Sequence, residues 1–118
     1  VQAIAQYCPN LRTLNLNYAH NVTGAAIMAV ARRCSALTSL SLDECENVGD
    51  EAIEMVAHCL PRLKHLNLND CVEVGDQAIG MVAECCTGLT TLQVHRLSSL
   101  TDKSIVQLVS RCQQLEAL

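Results

Sequence analysis

"CSALTSLSLDECENVGDEAIEMVAHC", Cys34–Cys59, is the stretch whose reading decides the fold. Its first half carries Leu37, Leu40 and Leu42, and from Leu40 apolar and polar residues alternate. That alternation marks a strand with one buried face. From Asp50 the period changes, and Ala52, Ile53, Val56 and Ala57 fall on one stripe at helical spacing. Moving the window by 26 residues in either direction returns the same pattern. Leu11, Leu37, Leu63, Leu89 and Leu115 form one column. Leu14, Leu40, Leu66, Leu92 and Leu118 form the next, and Leu16, Leu42, Leu68 and Val94 a third. The later helical stripes are Ala78, Ile79, Val82, Ala83 and Ser104, Ile105, Leu108, Val109. No insertion breaks the register.

A strand, a turn and a helix of about ten residues cannot bury both apolar faces alone, whereas stacked units bury them against their neighbours. The expected architecture is therefore α/β, with the strands in one parallel sheet and the helices in an outer layer. Helices are wider than the ~4.8 Å between strands, so the stack is expected to curve with the strands inside. Gly49–Asp50, Gly75–Asp76 and Thr101–Asp102 mark helix starts, and Thr23–Gly24 is the first repeat's departure from that pattern. These residues are expected to accept from orphan helix amides, with the carboxylates suited to the positive helix end. Pro9 and Pro61 fall in helix-to-strand connections, where a missing amide hydrogen costs least.

Composition agrees with repetition. Half of the 118 residues are apolar, yet Phe and Trp are missing and only two Tyr are present, so the core is aliphatic. The formal net charge of -4 comes with no cationic stripe, and a nucleic-acid partner is not expected. No stretch approaches the roughly 18 apolar residues of a membrane-spanning helix, and no membrane partner is expected. The eight cysteines follow the repeat rather than a metal-site spacing. Cys34, Cys86 and Cys112 share one position, Cys45 and Cys71 a second, Cys59 and Cys85 a third. No close pairs converge as zinc ligands do. The vicinal pair Cys85–Cys86 is the one place where metal or redox chemistry comes into question. The expectation is buried, reduced thiols, no metal and no cofactor, in a reducing compartment, cytosol or nucleus.

The run C-x-x-L-x-x-L-x-L-x-x-C-x-x-[VL]-[TG]-D, as in Cys34–Asp50, resembles the cysteine-containing subfamily of leucine-rich repeats. The resemblance covers the whole chain. Ala19 and Leu97 depart from it at the mid-repeat Cys; Leu60 replaces the initial Cys, with Cys59 one residue early. It implies a right-handed solenoid or horseshoe, with a parallel sheet on the concave face and helices on the convex face. Residues 1–118 then form a single array of about four full repeats plus partial ones at both ends. The subfamily is best known from F-box leucine-rich-repeat proteins, the substrate-recruiting subunits of cullin–RING ubiquitin ligases, whose repeats hold the substrate. Similar repeats occur in F-box-free scaffolds, including mitotic-exit regulators and proteins of ciliary axonemes. Kinship of the repeats alone carries the ubiquitin implication, so adaptor and scaffold both stand as readings of a protein-interaction segment.

The strand register sends the polar residues between the leucines to the concave face. They are Thr13, Asn15 and Asn17; Ser39, Ser41 and Asp43; His65, Asn67 and Asn69; and Thr91, Gln93 and His95, flanked by Arg12, Thr38, Lys64 and Thr90. These are the candidate partner-binding residues. Their projected area is on the order of 300 Å², short of the roughly 800 Å² per partner of a stable interface. Ser39 and His65 share a column, where a hydrogen bond is conceivable. With no third group to orient the imidazole and no oxyanion hole on an open sheet, no catalytic residue and no enzyme are expected. His20 and His58 read as surface residues, and Asp50, Glu51 and Glu54 as a solvated outer face. Met55 and Met81 are expected to be partly buried between helices. Val1 aligns with Ile27 and Leu118 with Leu92, so the native polypeptide is expected to continue in both directions or to have its ends covered.

Overall fold

A computed structural model describes residues 2–118. Helix α1 (Gln2–Tyr7) precedes strand β1 (Thr13–Asn15). Then α2 (Gly24–Arg33), β2 (Ser39–Ser41), α3 (Asp50–Cys59), β3 (His65–Asn67), α4 (Asp76–Cys85), β4 (Thr91–Gln93) and α5 (Asp102–Arg111) alternate. The four strands form one parallel sheet in the order β1-β2-β3-β4. Its register joins Leu14 to Leu40, Leu40 to Leu66 and Leu66 to Leu92. Among the described helices, each neighbours only the helix before and the helix after it in the chain, and their apolar stripes share one core with the strand leucines. A further parallel bridge, Thr91 to Ala117, begins a fifth rung.

The leucine columns interlock where two neighbours flank them. Leu37, Leu63 and Leu89 are fully buried, as are Leu42 and Leu68, whereas Leu11, Leu16, Leu115 and Val94 in the outer rungs are only partly covered. The helical stripes Ala52, Ile53, Val56, Ala57 and Ala78, Ile79, Val82, Ala83 are buried as expected. The last stripe is a correction. Ser104 and Leu108 are buried, but Ile105 is half-buried and Val109 is 56% exposed. The stripe needs a helix on each side, and α5 has one only on the α4 side.

The helix starts also differ from the expectation. The N-cap residues are Thr23, Gly49, Gly75 and Thr101, with each Asp at the first helical position. Only the two threonines cap with a side chain, Thr23 to the Ala26 amide and Thr101 to the Lys103 amide. Asp50 instead accepts from the Gly75 amide of the next repeat at 2.8 Å, and Asp76 from the Thr101 amide at 2.9 Å. Asp76 also accepts from the hydroxyls of Thr101 and Ser104. Gly75 is there for close approach, since a Cβ on it meets the Ser99 Cβ at 3.3 Å. The acidic residue therefore clamps one repeat to the next.

Thiols do the same at the bends. The Cys45 thiol donates to the Leu16 carbonyl at 3.2 Å and Cys71 to that of Leu42 at 3.0 Å. In the other column Cys34 donates to the Cys8 carbonyl, Cys86 to Leu60 and Cys112 to Cys86. These five thiols are buried; Cys59 and Cys85 are half-buried, and Cys8, beside the first described strand, is exposed. Burial as the main cause pushes Cys71 and Cys86 up to about 12, which keeps them protonated donors. Met55 and Met81 are half-buried against the core, each with a cysteine sulfur nearby: Cys59 Sγ to Met55 Sδ is 3.5 Å and Cys85 Sγ to Met81 Sδ is 3.7 Å. The outer face is not wholly solvated. Glu51 is exposed, but Asp50 is half-buried in its clamp, and Glu54 Oε1 is buried without a hydrogen-bond partner among the described residues. His20 and His58 are exposed. The alignment of Val1 falls outside the described residues.

Candidate protein-binding face

The backbone ladder fixes the sheet face beyond the short strands. Leu16, Leu42 and Leu68 amides donate to the carbonyls of Ser41, Asn67 and Gln93, and Tyr18, Glu44 and Asp70 amides to those of Asp43, Asn69 and His95. All twelve expected positions therefore lie in three rows across the rungs: 13/39/65/91, 15/41/67/93 and 17/43/69/95. The ladder then ends in the same device four times. Tyr18, Glu44, Asp70 and Arg96 are left-handed, with φ of 63°, 59°, 60° and 61°. Only Asp70 is of a type that favours this conformation; Tyr18, Glu44 and Arg96 adopt it at a cost.

The three rows are not equivalent. Asn15 Oδ1 accepts from the Asn17 amide at 2.9 Å, and Asn67 Oδ1 from the Asn69 amide at 3.0 Å. Asn17 Oδ1 in turn accepts from the Asp43 amide at 2.9 Å, and Asn69 Oδ1 from the His95 amide at 2.7 Å. One "NLN" rung thus satisfies its own bend amide and that of the next rung, and the device recurs in alternate rungs. Ser41 donates to Asn17 Oδ1 at 2.6 Å and receives Asn67 Nδ2 at 3.2 Å; Asn69 Nδ2 reaches Gln93 Oε1 at 3.0 Å. Six candidates are therefore held in an internal network. Thr13, Ser39, His65 and Thr91, with Asp43 and His95, offer side chains outside it.

The suspected Ser39–His65 pairing is not made. The two residues are register partners, but His65 Nδ1 lies 3.5 Å from Thr90 Oγ1. Thr90 itself donates to the Lys64 carbonyl at 3.0 Å, as Thr38 does to that of Arg12 at 3.3 Å. Of the flanking residues Arg12 and Lys64 are exposed. A shallow groove of about 140 Å³ runs over Ser39, Ser41, His65, Asn67, Thr91 and Gln93. It is open and polar, the form of a contact surface for a macromolecule.

One feature at the strand ends escaped the sequence reading. The carboxylates of Asp43, Glu44 and Asp70 lie within 4.8 Å of one another. Asp70 is ion-paired with Arg96, Nε to Oδ1 3.1 Å. The signal was present as acids at equivalent positions of adjacent repeats, but the left-handed turn that brings Glu44 beside Asp70 was not legible.

A family profile, FBD-associated F-box protein At5g56370, LRR repeats, matches residues 2–115. The chain belongs to this leucine-rich-repeat family. No curated protein matches it significantly. Leucine-rich repeats mediate protein–protein interaction, typically without catalysis, and the rows above are the polar sheet face of such repeats.

Proposed function

We propose that the chain is a substrate-recognition segment of an F-box-type ubiquitin-ligase adaptor. In this reading residues 1–118 are a single right-handed array, curved as a horseshoe with the sheet on its concave side. The protein partner lies across Thr13, Ser39, Asp43, His65, Thr91 and His95. Asn15, Asn17, Ser41, Asn67, Asn69 and Gln93 hold that face in shape. Ubiquitin-ligase subunits are engaged through an F-box outside this segment, and the setting is a reducing one, cytoplasmic or nuclear. The observation that carries the reading is the match to the repeats of an F-box protein over residues 2–115. The face of this segment, on the order of 300 Å², supplies part of a contact of roughly 800 Å² per partner.

The test is affinity purification of the parent protein, with and without Thr13→Arg, His65→Glu and Thr91→Arg. Cullin-adaptor subunits are expected with both, and substrate proteins only with the unaltered face. Recovery of filament or complex subunits without ubiquitin machinery favours the second reading, a structural scaffold in a large assembly such as a ciliary axoneme complex.

A further inference from the structure

Because every helix runs antiparallel to the sheet strands, the stack has two loop edges, one where strands end and helices begin and one where helices end and strands begin. Charge is divided between them. Segments 16–24, 42–51, 68–77 and 94–103 of the first edge carry nine acidic and two basic side chains, a net charge of -7. Segments 6–12, 32–38, 58–64, 84–90 and 111–117 of the opposite edge carry six basic and two acidic ones, a net of +4. Glu54, in mid-helix, accounts for the remainder of the chain's -4. The acids concentrate in the second and third rungs, among them Glu46, Glu51 and Glu73; the cations Arg12, Arg32, Arg33, Arg62 and Lys64 are all exposed.

Helix dipoles soften this division without reversing it. Each helix end carries about half a charge of the opposing sign, so the four ten-residue helices offset roughly two charges per edge. Nor do dipoles account for Glu46, Glu73, Arg62 and Lys64, which lie in loops outside the helices.

Area favours the edges over the ends. The chain measures 38 × 25 × 19 Å. Four inter-helix steps of about 8–10 Å place the long dimension along the stack. An edge then offers about 700 Å² of projected surface, close to the ~800 Å² per partner of a standard interface, whereas an end offers under ~500 Å².

We propose that the chain self-associates edge to edge, the acidic edge of one copy docking on the basic edge of the next. A two-fold pairing through either edge sets like charges together and is disfavoured. The head-to-tail pairing leaves one edge of each sign open, so growth does not close at a dimer. This interaction is independent of the sheet-face reading and leaves that face uncovered.

Sedimentation velocity of the 118-residue chain tests it. The expected result is a weight-average sedimentation coefficient that climbs with protein concentration in ~20 mM salt and returns to the monomer value by ~500 mM, where the screening length falls to a few ångströms. E46K/E51K/E73K and R32E/R33E/R62E, all at exposed positions, are each expected to lose most of the association while keeping the wild-type circular dichroism. The unaltered chain's salt series decides the matter even if a variant misfolds. A monomer at every salt concentration overturns the proposal, as does association indifferent to salt or a dimer that stops growing. A chain that stays monomeric but binds deca-lysine assigns the acidic edge to a basic partner and overturns it too.

Discussion

At the scale of single residues, the cysteines are small apolar fillers whose protons close hydrogen bonds that the ladder leaves open at the bends. A buried hydrogen bond contributes roughly 1 kcal/mol, and the lost volume adds to it. Cys71→Ala is therefore expected to cost about 2 kcal/mol in urea unfolding, and Cys8→Ala, at an exposed site, under about 0.5. Alkylation should follow the same order, with Cys8 first, Cys59 and Cys85 slower, and the five buried thiols only on unfolding; modification of Cys71 in the folded chain contradicts the account. The pH dependence has a definite sign. The folded Cys71 lies at about 12 against an ordinary 9.0, so the folded state holds its proton more tightly. Its contribution is complete below pH 9.0 and is lost as pH rises toward about 12. Urea midpoints that fall above pH 9.0, and fall less steeply in Cys71→Ala while Cys86 still contributes, bear this out. The left-handed row gives a second residue-scale prediction. At Glu44, glycine removes a conformational cost while valine raises it. Glu44→Gly is expected to match or exceed the wild-type melting temperature, and Glu44→Val to fall below it.

At the scale of elements, stability is an affair between neighbours. Asp76 ties the start of α4 to the start of α5 through Thr101 and Ser104, whereas Asp102 makes no such bond among the described residues. Asp76→Ala should therefore lower the melting temperature clearly more than Asp102→Ala; equal effects contradict the clamp. The hydrogen bonds from Ser104 and then Thr101 hold the Asp76 carboxyl below its ordinary 3.8. Its contribution is present above pH 3.8 and is lost as pH falls through the depressed value. The strand and helix of each repeat were legible because two periods, alternating and helical, sit side by side in every 26 residues. The clamp was not, because an aspartate at a helix start fits both a local cap and a bond to the next repeat; only the geometry separates them.

At the scale of the whole molecule, the rungs contribute unequally because a rung's burial depends on having two neighbours. Leu66, 1% exposed in the interior, should cost about 2–5 kcal/mol on truncation to Ala; Leu14, 7% exposed in the outermost strand, should cost visibly less. The same dependence explains why Val109 is exposed, since its column position is that of a core residue and α5 is packed on the α4 side alone among the described residues. The candidate face was legible as three rows but not as two classes. Asn67 and Thr91 look equally available in the sequence, yet the amide of one is committed within its rungs and the hydroxyl of the other is not. All of this depends on modules piled with their aliphatic ribs in line. The most direct measurement is the set of interstrand Hα–HN NOEs in solution. Contacts are expected along Thr13–Ser39–His65–Thr91 at a constant offset of 26 residues, all in the parallel sense. An offset that shifts by even one residue, or an antiparallel pattern, would turn the polar rows inward and contradict the account.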